Sequence, residues 1–201
     1  RHTLYRTAAL LFGLGGLPLL HAMSATALHE AATRGDTAVL RQQLQQGIPV
    51  DGRDGAGRTA LLAATHANRV EAARLLVAAG ADVNAKDAIQ DSPYLYAGAR
   101  GLLEILQLTL AHGADLRSTN RYGGTALIPA AERGHVEAVR TLITAGVEVD
   151  HINRLGWTAL LEAILLSDGA ARHEQNVQPL LAAVANPPVA GGDGVRPLQH
   201  A

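Results

Sequence analysis

The sequence predicts an all-α repeat solenoid of about five units and a partial sixth, because residues of one kind recur at a fixed interval. Hydroxyl residues stand 33 positions apart at Thr26, Thr59, Ser92, Thr125 and Thr158. Glycines recur with the same spacing at Gly47, Gly80, Gly113 and Gly146. A period of this length indicates stacked supersecondary units, none of which buries its apolar face alone.

Composition agrees with this fold class and excludes several functions. Hydrophobic residues make up 48% of the chain and aromatic residues only 3%, which suits small aliphatic helices in close contact. The 17 basic and 18 acidic residues nearly balance, so nothing indicates binding to nucleic acid or to an anionic membrane. The chain has no cysteine, which excludes disulfides, thiolate nucleophiles and thiolate metal sites.

Residues 1–25 have the layout of a secretory signal peptide instead of a repeat. Arginines begin the segment, an apolar run follows from Ala8 to Leu20, and small residues stand at Ser24 and Ala25. A run of 13 residues is shorter than the roughly 20 that a bilayer-spanning helix needs. The sequence therefore predicts export to the periplasm, with secretion as the alternative. An apolar helix that caps the solenoid remains a second interpretation.

The second unit shows how one repeat is built. Thr59 is a suitable N-cap for a short first helix. Asn68 stands where the chain turns, a second helix begins near Val70 with Leu76 on its buried side, and Gly80 ends that helix with a positive φ.

These units resemble the ankyrin repeat. The match reads TALHEAATRGDTAVLRQQLQQG from Thr26 and TALIPAAERGHVEAVRTLITAG from Thr125, and GADVNA follows the second helix of the second unit. The resemblance covers residues 26–166 in one register. It implies that each unit is a helix-turn-helix followed by a β-hairpin-like finger. The predicted ankyrin domain spans 26–201, with units starting near 26, 59, 92, 125 and 158 and a partial unit near 196.

The fourth and fifth units depart from the repeat pattern. Pro129 falls inside the first helix of the fourth unit, near the limit at which a missing N–H is tolerated. The fifth unit has about five extra residues, because Leu198 follows Leu160 by 38 positions, not by 33. The segment Ser167–Val177 holds this insertion, which we expect to lengthen the connection between the two helices.

The sequence contains no motif for catalysis, a cofactor or a metal. His29 takes a position beside the capping Thr where a structural hydrogen bond is expected. The insertion holds Asp168, His173 and Glu174, which would have to converge in a pocket for the alternative in which this segment is an enzyme site. We therefore predict that the protein is not an enzyme and has neither cofactor nor metal.

The resemblance implies a partner surface made of finger tips and the exposed sides of the first helices, which line a concave groove. The predicted partner-binding residues are Arg58, Ile89, Arg100, Arg121, Tyr122, Arg133, Arg154, Leu155 and Trp157. The wider surface adds Arg34, Arg53, His66, Lys86, Asp91, Glu132 and Ile152. Arginine favours planar acidic partners, and exposed aromatic residues beside arginine are typical of binding hot spots.

These observations predict a non-enzymatic protein-binding module of the bacterial envelope, with a protein partner that carries an acidic or mixed surface. It would support a periplasmic enzyme or neutralise a toxin as an immunity protein. The alternatives are a secreted effector that acts on host proteins and an enzyme with its site in the insertion. No nucleic-acid binding and no stable membrane insertion are expected.

Overall fold

Ten helices in five antiparallel pairs make up the computed structural model, which describes residues 26–165 and 171–185. In chain order the helices are α1 26–34, α2 Thr37–Gln45, α3 Ala60–His66, α4 Val70–Ala78, α5 Pro93–Arg100, α6 Leu103–Ala111, α7 Leu127–Glu132, α8 Val136–Ala145, α9 Ala159–Leu165 and α10 Ala171–Ala185. None of the described residues forms a β-strand. Residues 1–25, where the signal peptide is predicted, and 186–201, where the partial sixth unit is predicted, lie outside the described residues.

The hydroxyl residue of the repeat caps the first helix of a unit, as the sequence predicts. The side chain of Thr59 accepts from the amide of Leu62 at 3.2 Å, and Ser92 accepts from Leu95 at 3.2 Å. Each bond satisfies an amide that has no partner within its own helix. The recurring hydroxyl therefore sets where each of these first helices begins.

The fourth unit is the exception, because α7 begins one residue late. Pro129 has no N–H to donate to the carbonyl of Thr125, so Ala126 becomes the cap and Leu127 the first helical residue. The hydroxyl of Thr125 is buried and finds no hydrogen-bond partner among the described residues. The departure that Pro129 marks in the sequence thus removes one cap from the structure.

The turns at the helix ends also follow the sequence. Gly80 has a φ of 91°, and Asn68 in the corner between α3 and α4 has a φ of 50°. Both angles lie in the left-handed region that glycine and asparagine tolerate best.

The helices stack in two layers. First helices pack on first helices, from α3 through α5 and α7 to α9, and second helices pack on second helices from α2 to α10. Small residues let the first helices approach closely: a Cβ added at Gly98 would lie 2.8 Å from the Cβ of Ala126. Leu76 is fully buried in the core, which confirms the predicted register.

The C-terminal end of the described stack leaves apolar side chains exposed. The equivalent residues Leu62, Leu95 and Ile128 are 0%, 3% and 4% exposed, and each lies on a first helix that packs against the first helix of the following unit. Leu161 holds the same position in the fifth unit and is 41% exposed. The fifth unit therefore has one uncovered face within the described structure.

The expected form of the insertion needs a correction. Helix α10 has 15 residues, against nine or ten in α2, α4, α6 and α8, and it includes 171–177. When Leu180 is aligned with Leu76, α10 is three residues longer than α4 at each end, so the extra residues of the fifth unit lie partly in the second helix instead of only lengthening a loop. Asp168 and the side chains of His173 and Glu174 lie outside the described residues.

Candidate protein-binding face

One hydrogen-bonding pattern builds the turn at the tip of every described finger. Asp54 Oδ1 accepts from the amides of Ala56 and Arg58, each at 2.9 Å. The same pair of hydrogen bonds, from the amides two and four residues later, recurs at Asp87, Asn120 and Asn153. Asp54 and Asp87, which begin finger turns on the predicted face, therefore use their carboxylates to hold the fingers in shape.

Basic side chains tie neighbouring fingers together. Arg53 Nη1 donates to the carbonyl of Lys86 at 2.5 Å, and Lys86 Nζ donates in turn to the carbonyl of Thr119 at 2.8 Å. Arg154 Nη1 reaches back to the carbonyl of Arg121 at 2.9 Å. Arg53 and Lys86, which the sequence places on the binding surface, thus brace the fingers.

Three exposed apolar side chains stand at the finger tips. Ile89 is 48% exposed, Tyr122 54% and Leu155 65%. We call these three residues the finger ridge. Ile152, 62% exposed, lies near Leu155. The ridge residues were all predicted from the sequence, and the structure leaves each of them accessible.

The arginines beside the ridge have guanidinium groups without a carboxylate partner. The guanidinium of Arg121 lies 4.9 Å from the centre of the Tyr122 ring, a cation–π contact. Among the described residues, no carboxylate lies within 4.0 Å of Arg121 or Arg154. Trp157 is only half-buried in the same finger as Arg154. These side chains can therefore take a carboxylate or an aromatic group from a partner.

Arg58 differs from the other predicted arginines because an acidic neighbour neutralises it. Its Nη2 lies 2.7 Å from Asp54 Oδ2, and its Nε donates to the same oxygen. Burial acts to raise the pKa of Asp54, but hydrogen bonds from Arg58 and from the amide of Ala56 bring it below its ordinary value. The carbonyl of Arg58 also meets His29 Nε2 at 2.8 Å, the structural bond expected of that histidine.

Arg100 and Arg133 meet at a depression of about 380 Å³ on the first-helix side of the face. We call it the central depression. Its lining comes from successive units: His66, Tyr96, Arg100, Leu102, Arg133 and His135. Arg133 Nη1 donates to the carbonyl of Ala99 at 2.8 Å, and the guanidinium of Arg100 lies 5.9 Å from the Tyr96 ring centre. Neither arginine has a described carboxylate within 4.0 Å.

Burial shifts the pKa values of two titratable groups on this face in opposite directions, each toward the neutral form. Burial, and then the positive charge of Arg58, lowers the pKa of His66 against the pull of Asp91 and Asp87. Burial, and then the negative charge of Asp87, raises the pKa of Asp91 against Arg121 and His66. The Nε2 atom of His66 is buried without a hydrogen-bond partner among the described residues.

A second depression, of about 300 Å³, shows that fingers and first helices enclose a common groove. Its lining includes Glu30 and Arg34 from α1 together with Asp54 and Arg58 from a finger. Arg34 lies 3.6 Å from Glu30, so this end of the groove is more nearly neutral than the central depression.

Glu162, which is buried beside this face, forms a hydrogen bond within the fold. Glu162 Oε1 accepts from Asn153 Nδ2 at 3.1 Å. Burial and the nearby Glu132 raise the pKa of Glu162, while the bond from Asn153 opposes them. In the described part of the chain, no three His, Asp or Glu residues gather as metal ligands.

Sequence reasoning missed Tyr96 and Leu102 in the central depression. Tyr96 stands 33 positions after Ala63 and 33 before Pro129. A comparison of these equivalent positions shows that Tyr96 is the bulky residue among them. Leu102 belongs to the helix-turn-helix corner, which the sequence presents only as scaffold.

Comparisons with known proteins agree with this architecture. The family model described as ankyrin repeats (3 copies) matches residues 8–87 and 95–190. The first of these stretches begins inside the segment predicted to be a signal peptide. No curated protein matches the chain.

Two solved structures are similar to the chain over most of its length. A crystal structure of an ankyrin repeat domain from Acinetobacter baumannii AYE is 64% identical, with a TM-score of 0.76, and the match covers 86% of this chain and 88% of that one. A crystal structure of the ankyrin repeat protein EF0377 is 45% identical, with a TM-score of 0.74, and the match covers 79% and 81%.

The fold and its exposed face define a repeat solenoid of the kind that generally serves as a protein-interaction scaffold. The chain belongs to the ankyrin repeat family.

Proposed function

We propose that this protein is an exported, non-enzymatic binding module that holds an acidic or mixed surface of a protein partner in its groove. The observation that carries the proposal is that four of the five predicted partner-binding arginines, Arg100, Arg121, Arg133 and Arg154, have no described carboxylate within 4.0 Å. On a chain with nearly balanced charge, a group of arginines without direct ion pairs on one face favours a partner that brings carboxylates.

The finger ridge and Trp157 supply the apolar part of this surface. Tyr and Trp beside Arg are the residue types that dominate binding energy at protein interfaces. Arg100 and Arg133 border the central depression, where a carboxylate would face two guanidinium groups at once.

The proposed place of action rests on residues 1–25, whose sequence resembles a signal peptide in layout. We propose the periplasm, where support of an enzyme and neutralisation of a toxin are two roles open to such a module. None of the helices in the described residues is long and apolar enough to cross a membrane.

Affinity capture from a periplasmic extract of the native organism tests the proposal. The bait is the chain from Thr26, compared with the double variant Arg154→Ala/Trp157→Ala. The matched control is Arg74→Ala/Arg140→Ala, which removes two exposed arginines from second helices. We expect a protein that the parent and the control retain and that the first variant loses. Equal capture by all three baits would remove this face from the proposal.

Salt dependence gives a second test on the captured pair. The attraction between partner carboxylates and these four guanidinium groups is screened as ionic strength rises, so affinity should fall between low and physiological salt. An affinity independent of salt would show that the arginines do not carry the interaction.

A further inference from the structure

The four described finger tips have the same backbone conformation. Each begins with an Asp or Asn whose side-chain oxygen accepts hydrogen bonds from the amides two and four residues later. These residues are Asp54, Asp87, Asn120 and Asn153. The residue three positions after each of them has a left-handed backbone conformation. These residues are Gly57, Gln90, Gly123 and Gly156, with φ between 68° and 82°. The side chains two positions after each Asp or Asn therefore occupy equivalent places. They are those of Ala56, Ile89, Tyr122 and Leu155.

The tips are spaced by about the width of one finger. The amide of Ala88 donates to the carbonyl of Ala56 at 3.2 Å, and the amide of Arg154 donates to the carbonyl of Tyr122 at 3.0 Å. The first and second fingers, and the third and fourth, therefore touch through their backbones, while Lys86 Nζ joins the second finger to the carbonyl of Thr119 on the third. A finger is two backbone segments wide, and paired segments lie about 4.8 Å apart, so equivalent side chains repeat at roughly 10 Å.

The finger ridge is thus a row of three large apolar side chains at a regular interval, each about half exposed or more. Single exposed apolar residues are ordinary on protein surfaces, but a row in register that is flanked by cations indicates an interface. Arg121 and Arg154 each precede a ridge residue, so positive charge follows the row.

We propose that the finger ridge binds an amphipathic α-helix of the partner, whose apolar residues recur every seventh position and whose flanking residues are acidic. This inference rests on the proposed function and specifies the partner's contact element. Seven residues of an α-helix rise about 10.5 Å and return nearly to the same face, which matches the spacing of Ile89, Tyr122 and Leu155. Acidic residues beside that stripe would pair with Arg121 and Arg154.

Other peptide conformations fit the row less well. In an extended strand, side chains on one face repeat at about 6.8 Å, and a step of three residues changes the face. A polyproline II segment repeats every three residues, about 9.3 Å, but domains that bind it use grooves lined by aromatic residues. Two of the three ridge residues are branched aliphatics, which are partners for the apolar stripe of a helix.

Designed peptides test the inference directly, whatever the partner proves to be. The probe is a fluorescein-labelled, blocked helical peptide of about 21 residues, long enough for three apolar residues seven positions apart. It carries Leu at every seventh position and Glu beside the stripe. The control peptide has the same composition with Leu at every fifth position, which spreads the side chains around the helix. A third peptide is proline-rich, with Leu at every third position. Fluorescence anisotropy measures the dissociation constants against the chain from Thr26.

The seven-residue peptide should bind at least about tenfold more tightly than either of the others. Replacement of two ridge residues, Tyr122→Ser/Leu155→Ser, should abolish that preference. Leu181→Ser is the matched control, because Leu181 is 48% exposed on α10, away from the fingers. Equal affinity for the seven- and five-residue peptides, or tighter binding of the proline-rich peptide, would overturn the inference.

Charge reversal tests the flanking pairs. The variant Arg121→Glu/Arg154→Glu should bind the Glu-flanked peptide at least about tenfold more weakly and a Lys-flanked version more tightly. Circular dichroism checks that the variant is folded. An unchanged order of affinities would overturn the acidic flank.

The inference and the proposed function fail in different ways. A captured partner that depends on Trp157 and Arg154, together with no preference for the seven-residue peptide, would overturn the helix alone. Tight binding of that peptide with no partner captured from the periplasm would overturn the proposed periplasmic role alone.

Discussion

Thr59 and Thr125 occupy equivalent positions in two units, yet only one of their hydroxyls has a partner. Thr59 Oγ1 accepts from the amide of Leu62 at 3.2 Å, whereas Thr125 Oγ1 is buried with no partner among the described residues. Both residues are almost fully buried, at 0% and 1% exposure. Replacement of each by the isosteric valine therefore isolates the hydroxyl in the same setting.

The two substitutions should have opposite consequences for stability. Thr59→Val removes a cap and leaves the amide of Leu62 unsatisfied, which costs about 1–2 kcal/mol. Thr125→Val removes a buried hydroxyl that makes no bond, so the free energy of unfolding should stay unchanged or rise by up to about 1 kcal/mol. For a chain of this size, 1 kcal/mol corresponds to roughly 2–4 °C in Tm.

Urea denaturation followed by far-ultraviolet circular dichroism measures both effects. Equal m-values for the parent and the two variants are required, since a repeat chain that unfolds unit by unit gives a lower slope. An equal loss of stability in both variants would refute the account of α7, because it would show that Thr125 caps that helix despite Pro129.

Three further outcomes follow from burial and charge. Leu76→Ala should cost about 2–5 kcal/mol in urea denaturation, while Leu161→Ala should cost less than about half as much because Leu161 is 41% exposed; a neutral Leu76→Ala would contradict the helical register. Gly98→Ala should destabilise despite the higher helix propensity of alanine, because its Cβ would meet Ala126 at 2.8 Å; a higher Tm would show that α5 and α7 separate freely. Burial and Asp87 raise the pKa of Asp91, so the folded state binds that proton more tightly than the unfolded state, and this contribution is lost as pH rises through the folded pKa. Asp91→Asn should therefore raise the urea midpoint at pH 7 and change it less near pH 3.5; a destabilised variant at pH 7 would contradict the shift.

Much of the fold could be predicted from two columns of residues. Thr59 and Ser92 fix where first helices begin, and Gly80 fixes where a second helix ends, because caps and left-handed turns depend on local backbone chemistry. Pro129 was recognisable in the sequence as a departure from the repeat pattern. The loss of the Thr125 bond required the actual start of α7, which depends on packing as well as on the missing amide.

The candidate face was predictable in position but not in the role of each residue. Arg53 and Lys86 donate to carbonyls of the next finger, a contact that a single unit cannot display. The Asp or Asn that begins each finger turn could have been found from the sequence. Asp54, Asp87, Asn120 and Asn153 stand at the same interval of 33 positions. The central depression joins side chains from successive units, so it arises only when the stack is assembled.

The uncovered face of the fifth unit bears on how the molecule unfolds. In a chain whose units contact only their neighbours, each unit is held by its own helices and by the interfaces on either side. In the described structure, α9 carries Leu161 without the cover that Leu62 receives. Amide hydrogens of α9 should therefore exchange with solvent at a lower free energy than those of α3 and α4. Local opening of α9 would then occur more often than opening of the helices in the second unit, where Leu62 and Leu76 are fully buried.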